Sequence, residues 1–420
     1  MCDDPIFLLE PPAAITATGG YRFNDTLIRA MPEIRRLRRT PAGVARLAGR
    51  RGRGGPAGHT NDNPPSPPGV LVVDSLYLRH PAAMGSLRRL RRSGTKCVLL
   101  AHLLPSQEQP SANARARGGR LYSLRRYLRA RHRPARHHPR YPGNLRGRSG
   151  QVGGLHRESA ALGAFDGAVA PSHFMKSALA ERGVPEERIV VSQPPHGERG
   201  QPVPKRSAQN HRLVSVANLH PIKNLHAVIP ALPRPHSSGF AWTWEIIGSR
   251  KTAPRYFHRI RRIAAMYGVS RRLRFRGLKT PEEVEAAIAA ATVLLLPSRF
   301  ESFGMVAQSA ARLGTPIIAS NVGGVAEAIG VAPPSAANPQ QAHAPQPNQS
   351  QGNPSAVLLP PTDTPAWRGA LERVLATAAT PPLYNRASTT NPCRPAAPDT
   401  TADFAAVARL LRTLKEEAAS

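Results

Sequence analysis

Cysteine is nearly absent: Cys2, Cys97 and Cys393 are the only three in 420 residues, and none forms a Cys-x-x-Cys pair. That excludes a disulfide framework or a cysteine zinc site and fits reduced thiols in a cytoplasmic protein. Long apolar runs are also missing. Nothing approaches the ~20 residues a membrane-spanning helix needs. The opening Met1-Cys-Asp-Asp-Pro5 is acidic, and the apolar run behind it, Ile6 to Leu9, is too short for a secretory signal. Aromatic residues make up only 5% of the chain. Acidic residues are scarce, 26 against 58 Lys and Arg, for a formal charge of +32. A field of that sign attracts polyanions. A nucleotide phosphate would use only a few of those cations, so the excess suits peripheral contact with an anionic membrane. Nucleic acid is not expected as a partner, because few aromatics interleave with the arginines to stack on bases.

The length implies two domains with tails, and 34 glycines with 44 prolines imply insertions within them. Three segments read as foreign to a folded core. Ile34 to Gly58 is rich in Arg, Gly and Ala; Asn113 to Gln151 is dense in Arg and His without one acid; Pro333 to Ser355 is a Pro, Gln, Asn and Ala tract. The composition of Asn113 to Gln151 is also that of GC-rich DNA read out of frame. The resulting division is an irregular N-terminal domain over 1–200, a C-terminal domain over 208–378 with a low-complexity insertion at 333–355, a linker at 379–401 and a terminal helix at 402–418.

Between the foreign segments the pattern is regular. Gly69 to Asp74, Lys96 to His102, Phe165 to Ala170 and Arg188 to Ser192 read as strands, with a helix from Ser172 to Arg182 that Ser172 caps. In the second half strands at Arg212–Ala217, Trp244–Gly248, Leu273–Arg276, Thr292–Pro297, Thr315–Ser320 and Ala356–Leu359 alternate with helices at Asn224–Leu232, Arg255–Tyr267, Pro281–Ala291, Met305–Leu313 and Pro365–Leu375. Continuous apolar strands alternating with helices predict a parallel, doubly wound sheet. Ligands of such sheets sit beyond the strand carboxyl ends, which gathers Asn218, Ser249, Gly277, Ser298 and Asn321 around one crevice. The terminal helix, with apolar Phe404, Val407, Leu410, Leu411 and Leu414, could pack on either domain.

Four segments carry chemistry. In Leu295-Leu-Pro-Ser-Arg-Phe-Glu301-Ser-Phe-Gly304-Met-Val-Ala-Gln-Ser309 a strand end meets a helix start, where backbone N–H groups and the helix dipole favour an anion such as a diphosphate. Glu301 stands beside it, able to accept from sugar hydroxyls. An ordinary helix start with an acid near its dipole would look the same. In Val214-Ser-Val-Ala-Asn218-Leu-His-Pro-Ile-Lys223 a lysine opens the next helix, at the wrong end for the dipole, where it could neutralise a phosphate or merely be solvated. Gly19-Gly20 after a short apolar run could open a tight loop over a ligand, or be a common turn. His102, at a strand end, could face the cleft or be structural.

These segments resemble the glycogen-synthase-like retaining glycosyltransferases (family-four type, glycosyl transferases group 1). The resemblance is strongest from Leu213 to Gly330, notably Glu301 to Ile329 with Gly323-Gly324-Val-Ala-Glu327, and is fainter in the N-terminal half. It implies the GT-B fold, two Rossmann-like domains facing across a cleft, and transfer of a sugar from a nucleotide-diphosphate sugar to a glycan, lipid or small-molecule hydroxyl, with no metal and no resident cofactor. It implies catalytic roles for Glu301, His102 and Lys223. It places donor binding at Gly19, Gly20, Asn218, Gly248, Ser298, Phe303, Gly304, Met305 and Ser309. Asn218 stands where many members carry an arginine. Ser309 stands where the family has its second motif glutamate, on the nucleotide ribose, and would offer a shorter, neutral hydrogen bond. The alternative is an impaired GT-B binding protein whose basic arms meet nucleic acid or anionic membrane. A glycan phosphorylase would share the fold, but no segment suggests a lysine-bound pyridoxal phosphate.

Overall fold

A computed structural model describes residues 6–12, 19–41, 43–44, 69–108, 158–195, 210–233, 241–331, 356–379 and 400–419. The segments read as foreign at 113–151 and 333–355, residues 45–58 of the first such segment, and residues 380–399 of the linker lie outside these residues.

Among the described residues the strands form two six-stranded sheets, parallel throughout. The first contains β1 (Ile6–Glu10), β2 (Ile34–Arg38), β3 (Val70–Asp74), β4 (Lys96–Leu100), β5 (Gly167–Ala170) and β6 (Ile189–Val191), in the order β2-β1-β3-β4-β5-β6. The second contains β7 (Asn210–Val216), β8 (Ala241–Ile247), β9 (Leu273–Gly277), β10 (Val293–Leu296), β11 (Ile317–Ser320) and β12 (Ala356–Leu359), in the order β12-β11-β10-β7-β8-β9. The strand order reverses at β1/β3 in one sheet and at β7/β10 in the other. At such switch points adjacent crossovers leave on opposite faces and open a crevice beyond the strand ends.

The helices used below are α1 (Gly19–Ala30), α2 (Pro81–Arg92), α3 (His173–Ala180), α4 (Pro254–Met266), α5 (Pro281–Ala289), α6 (Met305–Arg312), α7 (Thr364–Ala379) and α8 (Thr400–Ala419). Each covers a sheet with apolar residues at helical spacing. In α1 Phe23 and Leu27 are buried, and in α4 Tyr256, Ile260 and Ala264. The terminal helix chooses the first sheet: Phe404, Val407, Leu411 and Leu414 share a core with Ile6, Leu8, Val70, Val72, Val98 and Leu100. Glu417 holds it there through Lys96 at 3.1 Å and Arg188 at 3.8 Å. On the opposite face of that sheet Cys97 is fully buried, and desolvation, reinforced by Asp166, pushes its thiol up to about 12. In the second sheet Trp242 and Trp244 fill the centre, and their ring N–H groups donate to Pro233 O at 3.2 Å and Ser215 Oγ at 3.0 Å.

Two sequence expectations are corrected here. Ile34 to Arg38, read as the start of a foreign arginine-rich segment, is the edge strand β2. Its Ile34 and Leu37 are buried, while Arg36 and Arg38 each place Nε 3.0 Å from Glu10 Oε1. Compositional reading misses a strand whose cations are consumed by one buried carboxylate and whose outer edge tolerates charge. Second, Asn224 to Leu232 is not an α-helix. It belongs to a chain of 3₁₀ turns, Pro221–Lys223, Leu225–Ala227 and Ile229–Ala231. Pro230 removes an amide that an α-helix requires, and Asn224 adopts φ 52°, a left-handed conformation that asparagine tolerates.

This segment carries a pH-dependent element. His226 Nδ1 lies within hydrogen-bonding distance of the Tyr256 hydroxyl, at 3.0 Å. Burial, with Arg259 and Arg299 nearby, pushes its pKa down to about 4, and burial raises Tyr256 to about 12. Between pH 6.5 and 4 the unfolded chain therefore binds a proton that the folded chain refuses. The stability from neutral His226 is fully present above pH 6.5 and is lost as pH falls toward 4. His226→Gln is expected to flatten the urea-unfolding stability profile across that window by about 1–3 kcal/mol. An unchanged slope would remove His226 as its source.

Candidate active site

The second sheet's switch point assembles the site. Beyond β7 the chain runs through Asn218 to Lys223, and beyond β10 through Ser298 to Gly304. Lys223 does not open a helix, as its position in the sequence implied, but closes a single 3₁₀ turn. From there its Nζ donates to Glu301 Oε1 at 2.8 Å, and Ser298 Oγ donates to the same oxygen at 2.6 Å. Neither bond uses Oε2, which is left to accept from a hydroxyl. The Arg299 amide donates to Ile222 O at 2.8 Å, tying the two turns together. Residues 78 positions apart thus share one ion pair, with side chains 28% and 13% exposed.

Directly after Glu301 comes the start of α6. Gly304 is its N-cap at φ 108°, with no side-chain cap and no acid in the first turn. Among the described residues no protein acceptor takes the amide hydrogens of Phe303, Gly304 or Met305. Uncompensated amides and a positive dipole end, with Lys223 alongside, make a site for an anion.

Two glycines shape this turn from behind. Gly323, at φ 57°, lies so close that a Cβ would run into the Glu301 carbonyl. At Gly324 a Cβ would sit 2.7 Å from Ser302 O, and its amide donates to Glu301 O at 3.0 Å. The Gly-Gly pair is therefore the surface on which the Glu301 turn rests. Gly248, at φ 146°, lets β8 end against Ala217 and Asn218, whose Oδ1 accepts from the Ser249 amide at 2.8 Å.

Ser309 lies one turn into α6. Its hydroxyl donates to Met305 O at 3.1 Å, one turn back along α6, so its proton is already committed and only its lone pairs remain to offer a ligand.

The first sheet meets this site across a set of bonds that sequence reasoning did not identify. Ser172 Oγ caps α3 by accepting from the Met175 amide at 3.1 Å and donates across to Ser302 O at 2.6 Å. Glu327 accepts from the His173 amide at 2.9 Å, from His173 Nδ1 at 2.8 Å and from Gln193 Nε2 at 2.6 Å. A carboxylate at the amino end of α3 complements that helix dipole as well. Gln308 Nε2 donates to Pro194 O at 3.0 Å. Glu327 stood in a quoted motif, but nothing in the sequence disclosed its partners.

His102, Gly19 and Gly20 lie at the other switch point. Gly19 and Gly20 are not a loop; they are the first two residues of α1. His102, just past β4, is half-buried and places Nε2 2.8 Å from Asn24 Oδ1, with its ring edge-on to Phe23. It makes no hydrogen bond to the Lys223–Glu301 pair. Asn24, Glu10 and Asp74 around it carried no sequence signal.

The fold is that of the GT-B class, two Rossmann-like sheets whose switch points face a common cleft. It is shared with sucrose-phosphate synthase from Thermosynechococcus elongatus (TM-score 0.59, 17% identity, 98% of this chain and 97% of that one). The Anabaena protein HepE, solved in complex with UDP and glucose, is similar as well (TM-score 0.58, 13% identity, 97% and 99%). Residues 210–376 match the family described as Glycosyl transferases group 1. Similar curated relatives include the D-inositol 3-phosphate glycosyltransferase of Streptomyces bingchenggensis, 31% identical over 38% of this chain and 31% of its own length. The glycogen synthase of Mycobacterium tuberculosis is 35% identical over 28% and 27%. The chain thus spans a third or less of the length of the curated relatives it matches.

Proposed function

We propose that this protein is a retaining glycosyltransferase that moves a sugar from a nucleotide-diphosphate sugar to an acceptor hydroxyl. The observation that carries the reading is the convergence of Lys223, Glu301 and the open amino end of α6 at the β7/β10 switch point. In transfer, the bond between the anomeric carbon and the diphosphate oxygen breaks, a bond to the acceptor oxygen forms on the same face, and the acceptor hydroxyl's proton passes to the leaving diphosphate. Negative charge grows on the leaving diphosphate, which Lys223 and the Phe303–Met305 amides would meet. Preorganised donors aimed at developing charge are often the largest catalytic contribution. Glu301, through Oε2, would orient the sugar and favour positive charge at its anomeric carbon.

The nucleotide sugar is read as substrate, with no resident cofactor; the positive charge offered to the diphosphate comes from Lys223 and the helix end. Asn218, Gly248 and Ser298 would border the donor, with His102 on the sugar's far side. The acceptor, a glycan, lipid or small molecule, would enter from the first sheet. Among the described residues no helix is long and apolar enough to cross a membrane; we read the protein as cytoplasmic, its basic excess suiting peripheral contact with anionic lipid. That HepE was solved with UDP makes UDP the first nucleotide to test.

Titration calorimetry with UDP, GDP and ADP is expected to give saturable binding for one of them. No heat from any would favour a binding protein over an enzyme. A carboxylate at position 309 would restore a charge-assisted bond to a ribose hydroxyl, a contact worth about 1.5–3 kcal/mol. Ser309→Glu is therefore expected to tighten the preferred nucleotide by roughly 10- to 150-fold. Unaltered affinity would show that this face of α6 does not meet the ribose.

A further inference from the structure

The first sheet's switch point holds a polar cluster that anion binding at the second sheet does not use. Glu10, Asn24 and Asp74 sit at 0%, 0% and 2% exposure at the carboxyl ends of β1 and β3 and inside α1. Asn24 Nδ2 donates to Glu10 Oε2 at 3.1 Å and to Asp74 Oδ2 at 3.3 Å. Glu10 is balanced by Arg36 and Arg38, and Asp74 Oδ1 accepts from the Leu76 amide at 2.9 Å.

The two carboxylates decide which way the Asn24 amide points. Ionised carboxylates only accept. Turning the amide over would aim its oxygen at both of them, so the NH₂ group must face Glu10 and Asp74. Asn24 Oδ1 is then the atom 2.8 Å from His102 Nε2. An amide oxygen cannot donate, so Nε2 must carry the proton. We propose that Asn24 is a positioning residue, oriented by Glu10 and Asp74, that locks His102 in the Nε2-protonated tautomer and leaves Nδ1 as a bare acceptor. Around the ring, burial disfavours the imidazolium while Asp74 and Glu10 favour it, and burial prevails, lowering the pKa. The Phe23 edge fixes the ring plane at a centroid distance of 5.4 Å. His102 would therefore accept from, rather than donate to, a hydroxyl of the bound sugar or acceptor. That consequence rests on the glycosyltransferase reading; the tautomer does not.

The test is nitrogen-15 NMR of histidine-labelled full-length protein, with His102 assigned by subtracting the His102→Gln spectrum. At neutral pH the His102 signals are expected as one protonated and one pyridine-like nitrogen, the protonated one being Nε2. An Nδ1-protonated ring or an imidazolium at that pH would overturn the proposal, and this outcome needs no variant of Asn24 to fold. Asn24→Asp retains an acceptor for Nε2 but adds a third carboxylate. It is expected to keep the Nε2 proton while moving the imidazolium transition, and the acid limb of the kcat profile, to higher pH. Asn24→Ala is expected to mix the tautomers and to lower kcat on the order of 10²-fold, with nucleotide affinity unchanged because the second sheet supplies it. A single Nε2-protonated tautomer surviving in Asn24→Ala would also overturn the role. Absence of any sugar transfer alongside the expected spectrum would instead defeat the glycosyltransferase reading and leave the tautomer assignment standing.

Discussion

Lys223→Ala is expected to lower kcat/KM by 10²- to 10³-fold, roughly 3–4 kcal/mol of transition-state stabilisation. The lysine stands where charge would build on the leaving diphosphate, and its Nζ is already directed by Glu301 at 2.8 Å. Its loss also strands a carboxylate that is only 13% exposed, so Glu301 would repel the same diphosphate. Glu301→Ala is expected to cost a comparable factor by a different route. It leaves Lys223 undirected and removes the acceptor for the sugar, so kcat should fall more than nucleotide affinity. Because each single change spoils the other residue's role, the double variant should lose much less than the sum of the two. Lys223→Arg should rescue poorly, since a planar fork does not reproduce a compact point charge at this turn. Steady-state kinetics on the preferred donor decides the matter; near-normal kcat/KM in Lys223→Ala would remove the anion site from the mechanism.

The largest structural effect is expected at Gly323. A methyl there meets the carbonyl of Glu301, and φ 57° is a backbone region that side chains rarely occupy. Left-handed strain costs about 1–2 kcal/mol and overpacking typically a further 1–3 kcal/mol. Gly323→Ala should therefore lose about 2–5 kcal/mol in urea unfolding, and nucleotide binding with it, because relief of the clash moves Glu301. Gly268 provides the control, with φ 70° and nothing within 4 Å of a Cβ. Gly268→Ala should pay the backbone strain alone and keep its nucleotide affinity. Equal losses in the two variants would show that the approach of Gly323 to Glu301 has no consequence.

Much of the second sheet was legible in the sequence. Strands buried on both faces must be continuous apolar runs, as Val293–Leu296 and Ile317–Ser320 are, and helices that cover one face repeat their apolar residues every three or four positions. The start of α6 was legible too, since a glycine followed by Met-Val-Ala-Gln marks a strand-to-helix turn. The stretch from Pro221 to Leu232 was not. Its leucine, valine and isoleucine follow a helical period, and only the three-dimensional path shows that Pro230 and left-handed Asn224 divide it into 3₁₀ turns. Strand β2 was hidden for the opposite reason. Arginine is a poor sign of a strand until its partner, Glu10, is seen beneath it.

By itself the sequence determined the class of architecture and singled out the two segments that the second sheet brings together, because periodicity and turn chemistry are local. Local order can say that Lys223 follows one strand and Glu301 another; it cannot say that the strands are neighbours. Adjacency of β7 and β10 is a consequence of the order in which the sheet winds, and that order alone puts ammonium, carboxylate and open helix end together. The same holds for Glu327 with His173, and for Asn24 between Glu10 and Asp74. Buried polar groups must find partners, and which partners they find is settled only when the chain has closed around them.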